Sequence, residues 1–239
     1  MPVVTALRHT RGGRVAVHLD GRYSCTVSAD LVAGESLFEG RELDEAEAAA
    51  LRAAASAEQA LSDAIRLLGH RARSRHELRE RLLRKGHAAT TVAVVLERLA
   101  GDGLLDDAAF ARAYVADKRH LNGWGEERIR RGLRELGVAA DVAEAALVQA
   151  RSRNAIDAQG QSYDAAAGVA QGADATEVGD ATDDELGRAL AVLARRKREG
   201  APPDVVRRRA LAALRRRGFG SDVAWRALRQ WLGEVGDDD

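Results

Sequence analysis

Three glycines, Gly86, Gly137 and Gly218, each sit at the same place in a recurring pattern of apolar residues, and that pattern constrains the fold more than any other feature. Eight residues before them stand Leu78, Ile129 and Ala210, and four before stand Leu82, Leu133 and Leu214. Six, nine, ten and thirteen residues after the glycines come Val92, Val95, Leu96 and Leu99 in the first copy. Ala143, Ala146, Leu147 and Ala150 occupy those places in the second copy, and Ala224, Ala227, Leu228 and Trp231 in the third. Those offsets trace the i, i+3, i+4, i+7 stripe of an amphipathic helix. Each copy therefore predicts a helix, a glycine stop in the left-handed conformation, and a second amphipathic helix. Thr90, Asp141 and Asp222, four residues past each glycine, are the expected N-caps.

A further helical stretch precedes each copy, at about 57–69, 106–120 and 183–198. Ser74 with Glu77 reads as a capping box, Asp141 with Glu144 offers the same arrangement, and Pro202-Pro203 suits a helix start. The copies are 51 residues apart and then 81, and the excess falls on a stretch rich in Ala, Gly, Asp, Gln and Ser. It reads as a flexible linker with a transient helix near Asp164–Ala170. The expectation is a mainly α chain: three tandem three-helix repeats in an elongated curved array, after a small N-terminal β-sheet. The boundaries are 1–43 (β extension), 44–104, 105–150, 151–182 (linker), 183–233, and 234–239 (acidic tail). In the extension, Val15, Val17 and Leu19 alternate with polar residues, as do Tyr23, Cys25 and Val27. A three-residue loop around Gly21, with a bulge, would pair Val17 with Tyr23 and Val15 with Cys25. Residues 3–9 supply a third strand. So small a sheet must lean on the helices.

With 37 Lys/Arg and 37 Asp/Glu among 239 residues, the formal net charge is zero, but the charge is segregated. Residues 66–86 hold eight basic and two acidic residues, 118–134 six and two, and 195–217 ten and two. Local fields of that kind outweigh the total. Cys25 is the single cysteine and the six histidines lack metal-ligand spacing, which argues against a disulfide, a thiolate cluster or a resident metal. There is no phosphate-cradling glycine loop before Lys-Ser/Thr and no nucleophile elbow. Asp106-Asp107 opens the helix carrying Phe110 and Tyr114, so capping explains it better than acid–base work. No cofactor and no enzyme activity are expected. The apolar runs are too short to cross a bilayer and the first residues lack a signal peptide, so a soluble cytoplasmic monomer is expected.

What remains is the basic surface. Ile129, Leu133 and Leu136 mark the buried side of their helix, so Arg131 and Arg134 project the other way, flanked by Arg128 and Arg130. Arg208, Arg209, Arg215 and Arg216 repeat the pattern in the third copy, where Leu214 is the buried residue, and Arg73 and Arg75 belong to the first. A solvated face explains any one such run; recurrence across copies favours contact with an extended anionic partner. Trp124, between Gly123 and Gly125, marks a further candidate contact, whereas Trp231 belongs to the core stripe.

The segment Gly103-Leu104-Leu105-Asp106-Asp107-Ala108-Ala109-Phe110-Ala111-Arg112-Ala113-Tyr114-Val115 resembles the RecX family. So do Gly123-Trp124-Gly125-Glu126-Glu127-Arg128-Ile129, Leu133 and Gly137-Val138. Arg73-Ser74-Arg75-His76-Glu77-Leu78, Leu82 and Gly86 resemble it too, and Leu19-Asp20-Gly21-Arg22-Tyr23 is similar to the extension of its longer members. Glu126 departs from the proline common after the second glycine. The resemblance implies a modulator of the RecA recombinase that binds the RecA–DNA filament and curbs its extension, ATP hydrolysis and strand exchange. Weak, sequence-tolerant contact with single- and double-stranded DNA goes with it. Two other classes fit the same helices: a helix-turn-helix-like DNA-binding regulator acting without RecA, and a plain helical scaffold.

Overall fold

The computed structural model describes the backbone of residues 1–164, 181–195 and 202–233, with their side chains except those of 153–164 and 181–183. The chain forms two compact units, Met1–Asp106 and Asp107–Asp239.

The first unit opens with an antiparallel sheet of β1 (Val4–His9), β2 (Val15–Leu19) and β3 (Arg22–Val27), in that order. The hairpin differs from the expected one. Its turn is the two residues Asp20 and Gly21, both at positive φ (51° and 76°), and Leu19 pairs with Arg22 and His18 with Tyr23. A bulge then skips Ser24, so that Val17 faces Cys25 and Val15 faces Val27. The mismatch of apolar faces that a two-residue turn creates is thus repaired inside β3 rather than in the loop. Tyr23 is left outside while Cys25 and Val27 turn inward.

The short α1 (Ala29–Gly34) follows, capped by Ser28, and then α2 (Glu45–His70), capped by reciprocal Asp44 and Glu47. The first half of α2 gives Ala48, Leu51 and Ala55 to the core of the sheet, with Val4, Val15, Val17 and Val27. Its second half gives Ala60 and Ala64 to a different core, shared with Leu78 and Leu82 of α3 (Arg75–Arg84) and the Val92–Leu99 stripe of α4 (Ala89–Gly101). The sheet does lean on a helix, and that helix is also the first member of a three-helix domain.

The second unit holds two more such domains. One is α5 (Asp107–His120), α6 (Glu126–Glu135) and α7 (Ala140–Asp164); the other is α8 (Ala181–Ala194), α9 (Pro203–Arg217) and α10 (Ser221–Leu232). Ile129, Leu133, Ala143, Ala146 and Leu147 are buried in the first, and Ala210, Leu214, Ala224, Ala227 and Leu228 in the second. Gly86, Gly137 and Gly218 have φ of 92°, 72° and 78°, so each does end its helix as the spacing requires.

Two local expectations are corrected. The helices after these glycines start earlier than expected: Ala88 and Gly220 occupy the cap positions of α4 and α10, and α7 begins at Ala140. Thr90, Asp141 and Asp222 therefore sit inside the first turn, where the two carboxylates complement the helix dipole instead of capping. Glu144, rather than closing a capping box, is drawn to Arg130 of α6. Helix α7 runs past the expected start of the linker to Asp164, with Arg151 anchored by Glu126 (Nε to Oε1, 2.9 Å). Residues 165–180, most of the helix expected at Asp164–Ala170, and the tail from 234 lie outside the described residues.

Candidate nucleic-acid interface between the second and third three-helix domains

Within the second unit, the two three-helix domains meet backbone to backbone. The Gly125 N–H donates to the Arg217 carbonyl at 2.8 Å. A β-carbon on Gly125 would lie 2.5 Å from the Phe219 nitrogen, and one on Gly218 2.6 Å from the Arg128 nitrogen. Only glycine allows this approach at either position. The Arg128 guanidinium crosses the seam to donate to the Arg216 carbonyl at 2.9 Å.

Behind the seam lies a buried ionic cluster. Arg119, 3% exposed, pairs with Asp184 of α8, which also holds Arg188. Glu126, likewise buried, pairs with Arg151, and its backbone N–H donates to Glu185 at 2.9 Å. Burial pushes the Glu185 carboxyl above its ordinary pKa, and the nearby Glu126 charge adds to the rise.

In front of the seam is a groove of about 590 Å³. Its lining comes from α5 (Tyr114), the loop before α6 (Trp124), α6 (Glu127, Arg128, Arg131, Gly132, Glu135) and the end of α9 (Arg215, Arg216, Gly218). Trp124 is fixed by cations: the Arg128 guanidinium carbon lies 4.0 Å from the indole centroid and Lys118 Nζ 5.1 Å away. Lys118 lies equally close to the Tyr114 ring. Burial raises the Tyr114 hydroxyl's pKa, Glu135 adds to the rise, and the phenol stays neutral near pH 7. Gly132 leaves room for that hydroxyl, since a β-carbon there would come 3.1 Å from the phenol Cζ.

Ten arginines are expected at the interface from sequence, and the structure separates them into three groups. Arg128, Arg131, Arg215 and Arg216 converge on the groove. Arg134, Arg208 and Arg209 are exposed but do not line it. Arg73 and Arg130 are committed to the fold, and Arg75 to a pair at the surface. Arg73 is 7% exposed, donating from Nε to the Leu67 carbonyl at 3.1 Å and pairing with Glu77, so its expected place on the surface is corrected. Arg75 ties α3 to Glu97 of α4, and Arg130 ties α6 to Glu144 of α7, whose carboxyl it holds below its ordinary pKa. By contrast, Arg131, Arg134, Arg215 and Arg216 make no ion pair among the described residues. Tyr114, Lys118, Glu127 and Glu135 are the members that sequence reasoning missed. The Glu127, Arg131, Glu135 spacing of four was the available signal. Among the described residues no cluster of three or more His, Cys, Asp or Glu could hold a metal, and no helix is long and apolar enough to cross a membrane.

Three-helix domains in tandem, the later two sharing one arginine-lined groove, define a helical-repeat protein. The family model of the first three-helix domain of RecX matches residues 60–99, and that of the second matches residues 106–147. "Regulatory protein RecX" of Levilactobacillus brevis is 34% identical over 148 residues, which is 62% of this chain and 56% of that one. The same protein of Mycobacteroides abscessus is 44% identical over 92 residues, 38% of this chain and 45% of the relative. Through its first two three-helix domains the chain is similar to the RecX family. These matches span about half the length of the curated relatives. The fold agrees with a crystal structure of regulatory protein RecX, with a TM-score of 0.68 and 22% identity over 98% of this chain and all of that one. It agrees also with RecX from Lactobacillus salivarius (TM-score 0.57, 14% identity, 74% of this chain and 97% of that one).

Proposed function

We propose that the chain is a non-enzymatic regulator that binds the RecA–DNA filament and mainly inhibits its ATPase and strand exchange, acting as a cytoplasmic monomer. The observation that supports this most is the groove of the second unit, where Arg131, Arg215 and Arg216 stand without carboxylate partners among the described residues. Unpaired guanidinium groups on a concave surface suit phosphates, which they bind through paired, charge-assisted hydrogen bonds. Their source in two domains suits a partner that runs along the molecule rather than one that ends in it.

The test is a titration of the chain, and of an Arg131→Ala/Arg215→Ala variant, into RecA hydrolysing ATP on single-stranded DNA. Wild type should suppress hydrolysis, and the variant should need at least tenfold more protein for the same effect. With about four to six phosphates neutralised, log affinity for bare DNA should fall against log salt with a slope of roughly −3 to −5. A chain that binds one duplex sequence tightly and leaves RecA hydrolysis unchanged would instead be a sequence-reading regulator.

A further inference from the structure

The groove carries more than cations. Arg131 lies midway between Glu127 and Glu135, four residues from each along α6, yet pairs with neither, and neither glutamate has another ion-pair partner among the described residues. A surface that only tracked a phosphate backbone would gain nothing from two free carboxylates, which repel phosphate. An acidic peptide would be repelled in the same way. The carboxylates are explained if the ligand brings hydrogen-bond donors as well as negative charge.

Nucleic acid bases bring such donors. The exocyclic amines of adenine, cytosine and guanine donate to carboxylates, whereas thymine and uracil have no such amine. The groove also offers a plane for a base to stack on, the Arg128 guanidinium laid over the Trp124 indole. Its volume of about 590 Å³ falls within the roughly 300–1,000 Å³ typical of small-ligand pockets. A concavity cannot reach base edges inside a stacked duplex, which are read by elements that project into its grooves. An unpaired base can swing out and enter.

The geometry points to a site for one unpaired, amine-bearing base of a single-stranded nucleic acid. Arg131, Arg215 and Arg216 hold its flanking phosphates, Arg128 on Trp124 meets its face, and Glu127 or Glu135 accepts from its amine. This rests on the nucleic-acid contact proposed above and adds to it a preference among bases.

Fluorescence anisotropy with end-labelled oligo-dC and oligo-dT of twelve nucleotides tests the reading. Both are weakly self-stacking pyrimidine strands; where cytosine carries an exocyclic amine and an N3 acceptor, thymine carries a carbonyl, a single imide N–H and a 5-methyl group. Oligo-dC should bind about tenfold more tightly than oligo-dT, and a twelve-pair duplex more weakly than oligo-dC. Glu127→Gln with Glu135→Gln should shrink the dC preference to about twofold or less while total binding holds or tightens. Arg131→Ala with Arg215→Ala should weaken both strands at least tenfold. Equal binding of dC and dT by the wild type, or duplex binding as tight as dC, overturns the base site. If RecA inhibition persists in that case, the regulator reading stands without it. Displacement of oligo-dC by a polyglutamate peptide at similar concentration would reassign the groove to an acidic protein segment and overturn the base site as well.

Discussion

Gly125→Ala isolates the docking of the two later domains from every other property of the chain. Gly125 has φ −76° and ψ 162°, a conformation open to any residue, so alanine there adds no backbone strain. What it adds is a methyl group 2.5 Å from the Phe219 nitrogen and from the Gly218 carbonyl carbon, both backbone atoms that cannot swing aside. Ordinary contact begins near 3.4 Å, so the domains must separate by about 1 Å. That movement breaks the hydrogen bond from Gly125 to the Arg217 carbonyl, worth about 1 kcal/mol, and overpacking adds about 1–3 kcal/mol. The seam should therefore weaken by roughly 2–4 kcal/mol. Gly86→Ala is the control, because a β-carbon there meets nothing within 4 Å and the cost is the positive φ of 92° alone, about 1–2 kcal/mol. Both variants should melt earlier with near-native helical circular dichroism. Only Gly125→Ala should also lose oligonucleotide binding, since its groove draws on α6 and α9 together. A Gly125→Ala protein that binds DNA like the parent would refute the claim that docking builds the groove.

Three further outcomes follow from the same contacts. Arg131→Ala with Arg134→Ala should shift stability by less than about 0.5 kcal/mol in a chemical melt, whereas Leu133→Ala, in the core, should cost about 2–5 kcal/mol. Arg119→Ala removes one of the two arginines paired with Asp184, leaving Arg188 beside it, and should destabilise the second unit by about 1.5–3 kcal/mol, seen as an early transition in calorimetry. Asp63 is pushed up by burial, but hydrogen bonds from Lys85, Arg66 and His87 outweigh that and hold its carboxyl well below the ordinary 3.8. Its contribution should be complete above about pH 4 and be lost as pH falls further; Asp63→Asn should remove that acid-limb loss, read as melting midpoint against pH.

The helical domains are legible in the sequence because their cores are local. Leu78, Leu82 and the Val92–Leu99 stripe lie within 22 residues of one another, and helical periodicity exposes them without any knowledge of the third dimension. The hairpin register is not legible in that way. The extra residue that reconciles its faces can sit in the loop or in the strand, and only packing on α2 selects Ser24. The arginines divide for a similar reason. Composition shows only that Arg73 and Arg131 are both arginines in basic segments. Whether Glu77 and the Leu67 carbonyl wait for one while the other is left unpaired depends on how chain turns fold back. The groove was least visible, since Tyr114 and Trp124 reach it from one domain and Arg215 and Arg216 from another, some 90 residues later.

The shared helix α2 behaves as an axle. Its 26 residues carry the sheet at one end, through Ala48, Leu51 and Ala55, and the first three-helix domain at the other, through Ala60 and Ala64. Each residue of an α-helix turns the chain by about 100° and advances it 1.5 Å. One residue inserted near Ser56 would therefore swing the sheet a quarter-turn or more about the domain, and would do so against the hydrogen bonds that Arg14 and Ser28 make to Glu58 and Gln59 beyond it. Four inserted residues would return it to within about 40° of its first bearing. The orientation of the N-terminal sheet is thus indexed in discrete steps by the length of one helix, and it can be redialled in this chain without altering a residue of either hydrophobic core.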